Sequence, residues 1–237
     1  MARKNFWVSL VIVGLLSGPA LAEPTVGIKN SPHDLSSAAT HSGFKATNVD
    51  ELCVFCHTPH QASTDTTNAP LWNRTASGVL NVENLYTSGS LSDDSLPAAV
   101  SSAVDASDAR LCLSCHDGSS MAAGLVVPPT TTDGEAIAFE GTNTISGRGK
   151  IAGADTNALK DDHPIGMNYA AILAGDKKDG FNADIAPLRL FSFTPVEGDA
   201  QQVMWCASCH SVHDNQHGSF LAMSNAQSAL CLKCHKK

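Results

Sequence analysis

Mostly irregular loops and short helices, with little β structure, are what this 237-residue sequence predicts, and three observations predict it. The pentapeptide CxxCH occurs four times, as Cys53-Val54-Phe55-Cys56-His57, Cys112-Leu113-Ser114-Cys115-His116, Cys206-Ala207-Ser208-Cys209-His210 and Cys231-Leu232-Lys233-Cys234-His235, and these motifs use all eight cysteines. Aromatic residues are only 5 % of the chain, and long stretches of Ser, Thr, Gly and Ala have weak periodicity, so the polypeptide alone buries little. The residues flanking the motifs repeat in pairs, which divides the chain into two halves of like construction.

In CxxCH the two thiols add across the vinyl groups of a haem and the following imidazole takes the iron. If a histidine follows a cysteine pair about one time in twenty, four coincidences have odds on the order of one in a hundred thousand. A disulfide framework has no use for a repeated CxxC spacing or for the histidines, and zinc knuckles of this kind are mostly cytosolic. The expected cofactor is therefore haem c, four per chain, attached at Cys53, Cys56, Cys112, Cys115, Cys206, Cys209, Cys231 and Cys234, with His57, His116, His210 and His235 as proximal ligands. Large apolar porphyrins would supply the missing core, and the fold class is that of a multihaem cytochrome c whose loops and short helices wrap four covalently bound haems.

The first residues read as an export signal. Arg3 and Lys4 form a basic start, Phe6 to Leu16 an apolar run, and Ala20-Leu21-Ala22 a cleavage site, giving a signal peptide over residues 1–22. The apolar run is too short to span a bilayer, so the expectation is a secreted protein, extracellular or at the outer cell surface, with the periplasm as the alternative. Removing residues 1–22 takes two positive charges from a net of −8 and leaves −10. Such a surface disfavours nucleic acid and anionic lipid.

Short helices are expected just ahead of the motifs. Asp105, Asp199 and Ser224 each precede a first cysteine by seven residues and could act as N-caps, and Thr47 with Asp50 could form a capping box before the first motif. The segments 61–104 and 126–160 read as irregular loops with a weak hairpin at most. Trp72, Tyr86, Tyr169 and Trp205 are packing residues or lie at a porphyrin or subunit contact.

The repeat supplies further histidines. The first and third motifs continue to a second one, as His57-Thr58-Pro59-His60 and His210-Ser211-Val212-His213. Another precedes each pair, in Ser31-Pro32-His33-Asp34 and Asp162-His163-Pro164-Ile165. The order His, CxxCHxxH, LCLxCH thus occurs twice, in two-haem modules of about residues 23–125 and 155–237 within a single tetrahaem domain 23–237. Each module offers two extra histidines for two haems, so the count closes at bis-His ligation with His33, His60, His163 and His213 as distal ligands. Being three residues beyond a proximal histidine, His60 and His213 should each serve a haem other than their own. His41 and His217 fall outside the pattern, though His41 could stand in for His33. Met121, Met167, Met204 and Met223 have no repeated position and read as packing. Bis-His ligation without methionine implies low potentials.

The sequences Ser31-Pro32-His33-Asp34-Leu35-Ser36, Cys56-His57-Thr58-Pro59-His60, Pro70-Leu71-Trp72-Asn73, Cys115-His116-Asp117-Gly118, Asp162-His163-Pro164 and Cys209-His210-Ser211-Val212-His213 resemble the extracellular multihaem cytochromes of metal-reducing bacteria, above all the tetrahaem outer-surface cytochromes that polymerise into conductive (nanowire) filaments. The resemblance implies bis-His haems, little regular secondary structure, and a haem chain running from one subunit to the next. It further implies a homopolymer in which one distal histidine is lent across the interface, His60 first and His33 second, with partner cytochromes and metal oxides as redox partners. The expected function is non-enzymatic electron transport. The alternatives are a soluble periplasmic or surface shuttle, or a multihaem reductase with one open iron.

Overall fold

A computed structural model of the chain describes residues 27–66, 69–78, 80, 85–86, 88, 104–152, 159–176, 178–194 and 200–237. The expected signal peptide and the expected cap Asp199 lie outside them. Regular structure is sparse. The helices are α1 (Ala109–His116), α2 (Tyr169–Ala174), α3 (Cys206–Cys209) and α4 (Cys231–Cys234), and the strands β1 (Lys45–Ala46), β2 (Phe139–Glu140), β3 (Met167–Asn168), β4 (Phe191–Phe193) and β5 (Gln201–Met204). Among the described residues, no helix is long and apolar enough to cross a membrane.

The strands form two antiparallel sheets. β1 pairs with β2, and β5 is the centre of a three-stranded sheet in the order β3-β5-β4. On β4 the side chains alternate: Phe191 and Phe193 pack on a cluster containing Val104, Leu113, Val203 and Trp205, while Ser192 faces outward and accepts from Gln202 Nε2 at 2.8 Å. A second cluster joins Met167, Tyr169, Ile172 and Met204, and a third joins Ala46, Val49 and Phe55. Three small clusters in place of one core agree with the low aromatic content. The three-stranded sheet goes beyond the sequence expectation, because strands of two to four residues are too short to show an alternating pattern. The weak hairpin does form, as Thr130 bridges Ala136 around Gly134.

Helix starts differ from the expectation. α1 begins at Ala109, and Asp105 instead pairs with Arg110 at 3.0 Å. Among the described residues no helix precedes the first motif: the Thr47 hydroxyl donates to Ala138 O at 3.4 Å and Asp50 accepts from the Ser37 hydroxyl, so their polar groups tie loops together. The Ser224 hydroxyl accepts the N–H of Ala226 at 3.2 Å ahead of a 3-10 turn over Ala226–Ser228. At Thr47 and Asp50 a loop-to-loop contact takes the side chain that a cap would need.

One glycine sets the junction between β3 and the first cluster. Gly166 has φ +74°, donates its N–H to Met204 O at 2.7 Å, and would place a Cβ 3.0 Å from both Leu85 Cδ1 and the Trp205 ring. Trp205 and Tyr169 are buried core residues, and Met121, Met167 and Met204 are likewise buried.

Candidate functional site

Every motif winds through a helical turn. α1 contains the whole second motif, α3 and α4 coincide with the cysteines of the third and fourth, and in the first a single turn is closed by His57 N–H donating to Cys53 O at 2.8 Å. At three and four residues' separation both cysteines and the histidine fall on one face, which is what a doubly tethered, ligated porphyrin needs.

The proximal imidazoles are oriented by backbone carbonyls. Nδ1 of His57 donates to Pro70 O at 2.6 Å, that of His116 to Gly149 O at 2.6 Å and that of His210 to Ser219 O at 3.0 Å. A carbonyl only accepts, so the proton sits on Nδ1 and the Nε2 lone pair is left for a metal. His163 is set the same way, by Pro164 O at 3.0 Å. Such second partners fix the ring and raise its basicity as a ligand.

Three of the four proximal histidines face one of the extra histidines. Ring centres are 6.1 Å apart for His57 and His213, 6.0 Å for His116 and His33, and 6.3 Å for His235 and His163, with interplanar angles of 27°, 72° and 73°. With a metal–nitrogen distance of about 2.0–2.1 Å and about 1.1 Å more to each ring centre, two imidazoles across one ion have centres about 6.3 Å apart. The residues present therefore fit an iron held between two histidines at three motifs. His210 and His60 are exposed, and neither meets another ring among the described residues.

The turn carrying His33 is built by the residues around it. Ser31, Asp34 and Ser36 are buried. The Asp34 carboxylate accepts from the Asn30 N–H at 2.7 Å, the Ser36 N–H at 3.1 Å and the Ser36 hydroxyl at 2.6 Å, while the His33 N–H donates to Ser31 Oγ at 3.2 Å. Phe220 stacks on the His33 ring with centroids 4.4 Å apart. Burial, then the nearby charges of His116 and His210, hold His33 down at about 4, so near neutrality it is in the uncharged form that binds metal. His235 is also lowered, by burial, then by His163 and Lys237.

His41 cannot stand in for His33. Its Nδ1 accepts the Gly43 N–H at 3.0 Å and its Nε2 lies 2.6 Å from Asp34 O, so both nitrogens are engaged in holding the same turn. His217 is exposed. Met223 packs against the second cluster.

Successive motifs adjoin at their cysteines. Burial pushes the Cys56 thiol up to about 11, with Cys115 the next contributor. Cys112 and Cys206 lie, with a carboxylate oxygen of Asp108, within 4.8 Å of one another. Burial also raises Cys209, followed by the charges of Cys234 and Cys231. Cysteines of the second and third motifs thus lie within 4.8 Å of each other, and those of the first and second and of the third and fourth influence one another electrostatically. The Asp108, Cys112 and Cys206 group has the look of a metal site, but thioether formation would consume both thiols.

Three consecutive residues close around the motifs, and of these Arg74 carries no sequence signal that would have marked it. Trp72 meets the His57 ring edge-on at 5.9 Å and its indole N–H is buried without a hydrogen-bond partner. Asn73 donates from Nδ2 to Val54 O at 2.7 Å and Val127 O at 2.8 Å and from its N–H to Cys56 O at 2.8 Å, clasping the first motif. Arg74, next in the chain, is buried.

Thiol pairs, carbonyl-oriented imidazoles and facing histidines are the groups that a covalently attached haem would need. Residues 194–237, which hold the third and fourth motifs, match the family model described as a doubled CXXCH motif. That match supports a multihaem c-type cytochrome with covalently bound haem c and haem-based electron transfer. No curated protein matches the chain.

Proposed function

We propose that the chain binds four haems c, each destined for two axial histidines, and acts as an electron carrier that polymerises for extracellular electron transport. The single observation that carries the reading is the pattern of histidine pairs at 6.0–6.3 Å, with His210 and His60 left over. His33 and His163, which precede the motif pair of each module, serve its second site. His213, from the third motif, serves the first. By the symmetry of the repeat, His60, from the first motif, serves the third motif of another copy, so that the contact between modules inside one chain recurs between chains. When bound, haem c exchanges single electrons between ferric and ferrous iron. The polypeptide's share is to tether by the cysteines, to present Nε2 by holding Nδ1, and to bring the attachment points side by side.

The domain reading follows: a signal peptide over 1–22 and one tetrahaem domain with modules near 23–125 and 155–237. Export places the carrier at the cell surface or outside it, with partner cytochromes as donors and metal oxides as acceptors. His33 faces His116 in the same chain, which leaves His60 as the residue to lend.

One observation favours a second reading. His210 meets no distal ring among the described residues, and an iron with a vacant position belongs to a reductase rather than a conduit. Electron microscopy of the mature holoprotein with carbon monoxide titration of its reduced form separates the two. Filaments in which no iron binds carbon monoxide support the conduit. Discrete particles in which one iron binds it at every protein concentration overturn the conduit and support the reductase.

A further inference from the structure

Arg74 is the largest side chain buried almost completely, at 2 % exposure, and it is charged. Its backbone belongs to the loop that clasps the first motif, since the neighbouring Asn73 bonds Val54 and Cys56. Its guanidinium enters the second motif, donating from Nε to Ser114 Oγ and from Nη2 to Ser114 O, both at 3.3 Å. Both acceptors are neutral. Of the ion pairs formed between described residues, Lys45 with Glu140 and Arg110 with Asp105, neither includes Arg74. Asp117, the carboxylate on the same loop system, accepts from the Ser77 hydroxyl at 2.7 Å and the Ser119 N–H at 2.8 Å.

The pocket is shaped for the charge. A Cβ on Gly124 would stand 2.5 Å from Arg74 Nη2, and Gly124 has no positive φ, so the glycine there makes room and nothing else. The charge sits at the seam of the two motifs, since the loop that carries it clasps the first and its guanidinium lies on Ser114 of the second. Taking a cation out of water costs several kcal/mol, and in the low dielectric of the interior its charge acts on neighbouring groups more strongly than it would at the surface. Reduction of a nearby iron removes one positive charge, so a fixed cation favours the reduced state, and the effect falls with distance.

We infer that Arg74 is a tuning residue whose buried positive charge raises the reduction potentials of the haem sites at the first and second motifs relative to those at the third and fourth. This rests on haem attachment at all four motifs. That reading has its own check: the mass of the mature protein either includes four haems or does not, independently of any potential.

The test is a redox titration of the full holoprotein followed by haem-methyl proton NMR, which reads each site separately. In R74Q the first and second sites shift to lower potential, with at least a tenfold change in their oxidised-to-reduced ratio, equivalent to about 59 mV for one electron, while the third and fourth stay put. R74K, which keeps the charge, stays within a few-fold of wild type. G124A, which leaves the charge count unchanged but drives the guanidinium from its place, moves the same two sites in the R74Q direction and is the deciding variant if R74Q fails to mature. Unchanged potentials, or an equal shift at all four sites, in whichever of R74Q and G124A matures would overturn the inference.

Discussion

Replacing His60 by alanine perturbs the proposed polymer at one atom. Three proximal histidines have a partner ring within their own chain at 6.0, 6.1 and 6.3 Å; His210 meets none among the described residues, and in the proposed polymer takes its ligand from another copy. The expected magnitude is therefore stoichiometric. In H60A one of four irons becomes open, so reduced protein binds one carbon monoxide per chain where assembled wild type binds close to none. Dilution of wild type should produce the same signal by mass action, since the ligand is supplied by a second molecule, whereas H60A should show no concentration dependence. Added imidazole should close the open iron in H60A without restoring filaments. The reasoning is refuted if H60A still assembles with every iron six-coordinate, or if carbon monoxide binding by wild type is one per chain at all concentrations.

Three further outcomes follow from the surroundings of the motifs. Asp34→Asn sets an amide NH2 against one of the two N–H donors that its carboxylate now receives, and should cost about 1–3 kcal/mol in urea unfolding. Burial pushes Asp34 up but the hydrogen bonds of Ser36 and Asn30 outweigh it, so its folded value lies below the ordinary 3.8; the stability it adds is present above that pH and lost as pH falls through the folded value, a decline absent from D34N. Asp108 is the opposite case: burial raises it, against the Ala207 N–H, so the native state is most stable below the ordinary carboxylate value and loses stability as pH rises through the folded one. Asp108→Asn keeps an acceptor for Ala207 and should unfold at higher urea than wild type at pH 7, with the difference closing toward acid. Gly166→Ala combines a positive φ with contacts of 3.0 Å to Leu85 and Trp205 and should cost about 2 kcal/mol by thermal unfolding of the holoprotein.

The chemistry-bearing residues were legible because they repeat. His33, His163 and His213 are marked by their places in a duplicated order, and each stands against a proximal imidazole. Which one meets which was not legible, since pairing depends on how loops return over one another, and His213 reaching back to His57 leaves no local trace. The caps proposed at Thr47, Asp50 and Asp105 fail for a related reason: in a chain with few helices a polar side chain near a motif is as useful for pinning another loop. Arg74 has no such mark, because a lone arginine carries no pattern and only burial shows that it holds a charge away from water.

The reach of His213 back to His57 also orders the making of the protein. A chain is synthesised from its N-terminus, so the first motif is complete long before its opposing imidazole exists. The second motif has His33 behind it from the start, and the fourth has His163, but the first stays half-enclosed until the third has been laid down. A truncated chain ending in the linker between modules would carry an exposed, unfinished site at its front end. Sequence order and closure order are thus reversed for the first site, and the last module acts as the clasp that certifies the first.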